Sequence, residues 1–145
     1  MSQVIHVRAE AVPEAATASW SNALRIGNEV VMSGMTGHPA TRQAAERGEP
    51  LGVYEQTLLV LNKSKALVEA AGGHLGNIYR LTVYVTDIAA KDEVGRARRD
   101  FFAGQACYPT STLVEVSGLV FPELRVEIEA SARLDVDLRT AEVQP

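Results

Sequence analysis

The segment 109–132, PTSTLVEVSGLVFPELRVEIEASA, restricts what this chain can fold into more than any other stretch. Thr112, Val114 and Val116 alternate with Leu113, Glu115 and Ser117. Beyond a turn at 118–122, Leu124, Val126 and Ile128 alternate with Arg125, Glu127 and Glu129. A period of two marks a strand with one buried face, so the segment reads as two strands joined by a turn. The second of them carries Arg125, Glu127 and Glu129 along one side. An ionised carboxylate buried without a partner is among the costliest groups in a fold, so that side must meet water, a ligand or a second subunit.

The rest of the chain supplies a sheet and helices to go with this pair. Residues 3–9 alternate loosely and suggest a first strand. Ala23, Leu24 and Ile26, then Gly27-Asn28, then Val30, Val31 and Met32 have the pattern of a hairpin. Residues 37–50 are polar, with two prolines and two glycines, and read as a long surface loop. From Leu51 to Ala71 the period becomes helical: Tyr54, Leu58, Leu61 and Val68 form a stripe that Val53, Val60 and Leu67 widen, and Gly72-Gly73 ends it. Leu81, Val83 and Val85 mark another strand. Asp87 is placed to cap a second helix with Ala90, Val94, Ala97 and Phe101 inward, and Arg96, Arg98 and Arg99 read as its solvated end. The order is that of an α+β domain, a mixed β-sheet with two helices packed on one face. One domain over residues 1–134 is expected, with a polar tail over 135–145 that has no apolar period and is free to fray.

Composition narrows the function. A chain of 145 residues can bury a core without a metal or disulfide. Its net charge of −4 gives no basic footprint for nucleic acid. Cys107 is the single cysteine, which excludes an internal disulfide and fits a reducing compartment, and a reactive role for it is disfavoured because no CxxC partner exists. His6, His38 and His74 lack metal-ligand spacing, so neither a metal nor a cofactor is expected. No run has signal-peptide or membrane-spanning character, which points to a cytoplasmic protein without a membrane partner.

Taken together, SNALRIGNEVVMSG, EQTLLVLNKSKALVEAAGG, LTVYVTDIAAKDEV, FF, YPTSTLVEVSGL and RVEIEASA, in this order over most of residues 20–132, resemble the RidA (YjgF, RutC-like) family. The resemblance implies a chorismate-mutase-like fold assembled as a homotrimer, with small-molecule pockets in the clefts between subunits. It also implies hydrolysis of reactive enamines and imines to a 2-keto acid and ammonia. In the family pattern a strand arginine clamps the substrate carboxylate and a glutamate on the last strand handles water and protons. Glu127 matches that glutamate. Trp20, Ser33 and Gly34 fall at ligand-binding positions, and Ser111 stands where the arginine belongs. Asn22, Met35, Leu113, Gly95 and Arg98 are further departures from the pattern.

Ser111 has the largest consequence, because a neutral hydroxyl replaces a charged fork. A charge-assisted hydrogen bond is worth roughly 1.5–3 kcal/mol against about 1 for a neutral one, so carboxylate anchoring falls by an order of magnitude or more unless Arg25 or Arg125 substitutes. On the sequence alone, Ser111→Arg is expected to raise turnover. Three functional classes follow. The first is an enamine or imine deaminase in which Glu127 acts on water and backbone amides near Ser33 and Gly34 hold the substrate. The second is a non-catalytic trimeric metabolite-binding protein, favoured by the absent arginine. The third is the ribonuclease or translation-inhibitor role of some relatives, disfavoured by the acidic charge. His38, in TGHP beside the Ser-Gly segment, is the histidine nearest the implied pocket.

Overall fold

The hairpin forms as its turn residues require. Gly27 sits at φ 60°, in the left-handed region, and lets the chain reverse between β2 (Ala23–Ile26) and β3 (Glu29–Met32) with Arg25 opposite Val30. The computed structural model describes residues 3–145. β1 (Val4–Val7) pairs with the outer side of β2. On its other side the hairpin joins β6 (Val126–Arg133), which runs antiparallel to both β3 and β4 (Ile78–Val85). β5 (Thr110–Glu115) closes the sheet as a parallel neighbour of β4, giving the order β1-β2-β3-β6-β4-β5.

The α+β class and the mixed sheet agree with the sequence. The reading of 109–132 as a paired unit does not, because β4 lies between β5 and β6. Alternation reveals which face of a strand is buried and says nothing about its neighbours. β4 buries Ile78, Leu81, Val83 and Val85, so it takes the interior place, whereas β5 is largely exposed and takes the edge.

Three helices form. α1 (Ala40–Glu46) lies inside the stretch read as loop. Alanines at 40, 44 and 45 and few competing side chains allow one helical segment there, with Ala44 and Thr41 buried. α2 (Val53–Ala70) and α3 (Lys91–Phe101) cover one face of the sheet. Val60, Leu61, Leu67 and Val68 pack onto Ile78, Leu81, Val83, Ile128 and Ala132 to make the core. The buried face of α2 is rotated from the apolar stripe. Tyr54 and Leu58 are only part-buried, whereas Gln56, Thr57 and Ser64 point inward. Their polar groups are satisfied locally: Thr57 Oγ1 donates to the Val53 carbonyl at 2.7 Å, and Gln56 bonds three backbone groups. Tyr54 instead meets α3, its hydroxyl on Asp100 and its ring under the Arg96 guanidinium, 3.8 Å from the centroid.

Two further readings are revised. Asp87 caps a 3₁₀ turn, Ile88–Ala90, that leads into α3. The tail is held as far as its own 3₁₀ turn, Leu138–Thr140: Asn77 Nδ2 donates to the Val136 carbonyl at 2.8 Å, and the Cys107 and Ala106 amides reach Leu138 and Arg139. The other face of the sheet, carrying Ile26, Val31, Thr82, Tyr84, Val114, Glu127 and Glu129, has no element over it among the described residues.

Candidate functional site

The β6 alternation puts Val126, Ile128, Ala130 and Ala132 under the helices and Glu127 and Glu129 on the uncovered face. What distinguishes Glu127 is a bulge in the neighbouring strand. Val31 pairs with Ser131, and the next bridge joins Met35 to Ile128, so three residues of one strand face two of the other. Met35 exchanges both backbone hydrogen bonds with Ile128, at 2.8 and 3.1 Å. This brings Gly34 against the Glu127 side chain: a β-carbon at position 34 would collide with Glu127 Oε2 and lie 3.0 and 3.1 Å from Cδ and Cγ. Glycine permits that approach, and any larger residue would require the Glu127 side chain to move.

Burial first, and then the neighbouring Glu129 carboxylate, push the Glu127 carboxyl above its ordinary pKa. Glu129 is the exposed member of the pair and accepts a 2.7 Å hydrogen bond from Tyr84 Oη. Glu127 has no hydrogen-bond partner among the described residues, so its two oxygens are left for a water or ligand.

Ser33 precedes Gly34 in the chain and is linked through Asn22 to Trp20, which lies in a separate hollow. The Ser33 hydroxyl donates to the Ser21 carbonyl at 2.6 Å and its amide to the Asn22 carbonyl at 2.9 Å, so that amide is already committed rather than free for a substrate. Asn22 is buried and carries the network outward. Its Nδ2 donates to Val12, its backbone amide to Glu14 at 2.7 Å, and its Oδ1 accepts from Trp20 Nε1 at 3.2 Å. Trp20 therefore lines a hollow of about 610 Å³ with His6, Arg8 and Glu14.

Ser111 lies elsewhere. It is the register partner of Leu81, which pairs with Ala130, so its side chain is on the helix face while Glu127 is on the opposite one. Arg98 Nη1 of α3 donates to Ser111 Oγ at 2.5 Å. Together they line a cleft of about 330 Å³ with Gly95, Arg99, Phe102, Tyr108 and Pro109. One chain thus brings Glu127 together with Ser33 and Gly34 and holds Ser111 apart from them.

The two arginines considered as replacements are not at Ser111. Arg25 Nη1 reaches the Ala71 carbonyl at 3.2 Å, and Arg125 lines a hollow with Thr86, Asp87 and Glu93. Reading Arg98 as a solvated helix end is corrected, since it is half-buried over the β5 edge. The usable signal was its spacing three residues before Phe101 and four after Val94, which puts it beside the inward face of α3. His38 stacks on Phe121 with centroids 4.4 Å apart, and its carbonyl accepts from Lys63 Nζ at 2.7 Å, so its contacts are those of packing. Among the described residues no three His, Cys, Asp or Glu side chains converge to hold a metal, and no helix is long and apolar enough to cross a membrane.

Known proteins share this architecture. A crystal structure of a protein of unknown function from Pseudomonas aeruginosa is 65% identical, with a TM-score of 0.96 over 98% of this chain and 100% of that one. The Escherichia coli (strain K12) protein named 2-iminobutanoate/2-iminopropanoate deaminase is 33% identical over 119 residues, 81% of this chain and 89% of that protein. E. coli TdcF, in a crystal structure with bound serine, is 32% identical with a TM-score of 0.74, over 88% of this chain and 96% of that one. Matched over residues 10–134 by the family model described as Endoribonuclease L-PSP, the chain belongs to the RidA (YjgF) family.

Proposed function

We propose that the chain hydrolyses small 2-imino acids and their enamine tautomers to the 2-keto acid and ammonia, at a site completed by two copies of the chain. The observation that carries this reading is the Glu127 carboxyl: half-buried, raised in pKa, unpartnered and pressed against Gly34. A carboxyl raised above its ordinary pKa and left without a partner is suited to take and return a proton. In the proposed reaction a water attacks C2 of the protonated imine while Glu127 accepts the proton the water loses. The tetrahedral carbinolamine then takes that proton back onto nitrogen; as the C–N bond breaks and the C=O forms, Glu127 takes the hydroxyl proton and passes it to the departing ammonia, which leaves as ammonium. One water is consumed and Glu127 ends as it began. Deaminase function in a relative with one third of its residues identical supports the reaction class.

The sheet's uncovered face supports assembly. Ile26, Val31 and Val114 are exposed there beside the two glutamates, an arrangement that a second and third copy would cover. A homotrimer is expected, with light scattering giving about three times the 15.6 kDa chain mass; a concentration-independent value of 15.6 kDa would contradict it.

Gly34→Ala is expected to reduce turnover about 10²-fold, because the added methyl displaces the Glu127 carboxylate by something near 1 Å. Steady-state kinetics together with a thermal melt separate this from unfolding. The reading itself is tested by generating 2-iminobutanoate in situ and following ammonia and 2-oxobutanoate. Faster release with the protein than without it is expected, and identical rates would leave a metabolite-binding module in its place.

A further inference from the structure

We propose that Arg98 of α3 is the carboxylate-binding group of this chain, with Arg99 beside it and the Ser111 hydroxyl as its orienting partner. This rests on the imino-acid reading above for the identity of the ligand, and on the geometry of the 330 Å³ cleft for the site.

The cleft is cationic, and the carboxylate in the adjoining hollow that shares Arg98 and Arg99, Asp92, is paired with Lys91 at 3.2 Å. None of the cleft's own lining residues is acidic, and neither Arg98 nor Arg99 makes an ion pair among the described residues. Three other arginines are engaged: Arg42 pairs with Glu123 at 2.9 Å, Arg25 bonds carbonyls, and the exposed Arg96 stacks on Tyr54. Arg98 and Arg99 instead converge over Gly95. A β-carbon there would lie 3.5 Å from Arg99 Nη1 and 3.9 Å from Arg98 Nη2. Two adjacent guanidiniums, one of them half-buried, repel each other, and burial followed by Arg99 lowers the Arg98 pKa. A small anion between them relieves both costs.

The hydrogen bond from Arg98 to Ser111 also decides what the hydroxyl offers. Ser111 Oγ accepts from Arg98 Nη1 at 2.5 Å, which leaves the Ser111 O–H free to donate. Its hydroxyl proton and the remaining Arg98 N–H groups together present the donors a carboxylate accepts in a forked pair. Phe102, Tyr108 and Pro109 form an apolar wall beside them, and the cleft volume is at the small end of ligand pockets, as a short imino acid requires. The guanidinium missing from β5 is thus supplied by α3. Ser111→Arg in an otherwise unchanged chain is therefore expected to gain nothing, because it adds a third cation beside two.

The experiment uses nuclear magnetic resonance titration of the full chain with 2-oxobutanoate and with its uncharged amide. Arg98→Gln is expected to weaken 2-oxobutanoate binding about tenfold or more, the difference between a charge-assisted and a neutral hydrogen bond, and to leave the amide unaffected. Arg98→Lys should retain part of the preference, and Arg96→Gln, away from the cleft, all of it. The double variant Arg98→Gln with Ser111→Arg should regain carboxylate binding. Equal binding of 2-oxobutanoate by Arg98→Gln and wild type, or no preference for the carboxylate in wild type, would overturn the proposal. Carboxylate binding that depends on Arg98 in a chain that releases no ammonia would sustain it and reject the deaminase reading instead.

Discussion

Glu127→Gln is expected to lower 2-imino acid hydrolysis about 10²–10⁴-fold, the usual worth of a positioned proton-transfer group, and to leave the assembly intact. The substitution keeps the side chain's shape against Gly34 and removes the oxygen that takes the proton. Glu129→Gln should have a much smaller effect, because Glu129 is exposed and its carboxylate is occupied by Tyr84 Oη. Stability should move the other way. The folded Glu127 carboxyl sits above its ordinary value of 4.5, so the protonated form is the one favoured by the fold. Its contribution is present below the unfolded pKa and is lost as pH rises through the folded one. Wild type should therefore melt below Glu127→Gln at neutral pH and alongside it below about pH 4, as differential scanning fluorimetry would record. In kinetics, the acid limb of kcat/KM should fall above the ordinary glutamate pKa and vanish in the Gln variant.

Gln56→Leu should cost about 3 kcal/mol of stability, since three part-buried backbone groups lose their partner at roughly 1 kcal/mol each. Gln56 Nε2 donates to the Leu51 and Glu123 carbonyls at 2.9 and 3.1 Å, and its Oε1 accepts the Arg125 amide at 2.9 Å. Leucine has a similar volume and none of this capacity. Those bonds tie the start of α2 to the residues just before β6, so the approach to the strand that carries Glu127 is fixed by a glutamine on α2. A melting temperature lowered by about 10 °C is expected. A shift under 2 °C would mean that water or local rearrangement replaces all three bonds.

Much of the architecture was legible because burial has a period. The β6 and β4 alternation, the spans of α2 and α3 and the turn at Gly27 follow from patterns a few residues long, whereas α1 has no such pattern and read as loop. The errors arise where a pattern carries no partner information. β5 and β6 read as a pair because they are consecutive, yet the more apolar β4 takes the interior place between them. Gln56, Thr57 and Ser64 are polar by type and buried in fact, because each finds a backbone group within reach. The candidate site shows the same division. Glu127 could be named from its strand and the family register, whereas its difference from Glu129 required Gly34 and Tyr84 to be placed. Arg98 looked like one of three solvated helix arginines, and nothing in its neighbours along the chain announces Ser111, thirteen positions later and on another element.

The opposite facing of Glu127 and the Arg98–Ser111 cleft has a consequence that a mixing experiment reads directly. One chain has its own sheet between the two groups, so a ligand touching both must lie between copies. Glu127→Gln and Arg98→Gln chains, each impaired alone, are to be unfolded, combined in equal amounts and refolded, and their 2-imino acid turnover compared with that of each parent treated alike. Random assembly puts an intact Glu127 against an intact Arg98 at about one interface in four, so roughly a quarter of wild-type activity should return. If both groups served the site from the same chain, no mixed assembly would contain an intact pair, and activity would stay at the average of the two parents.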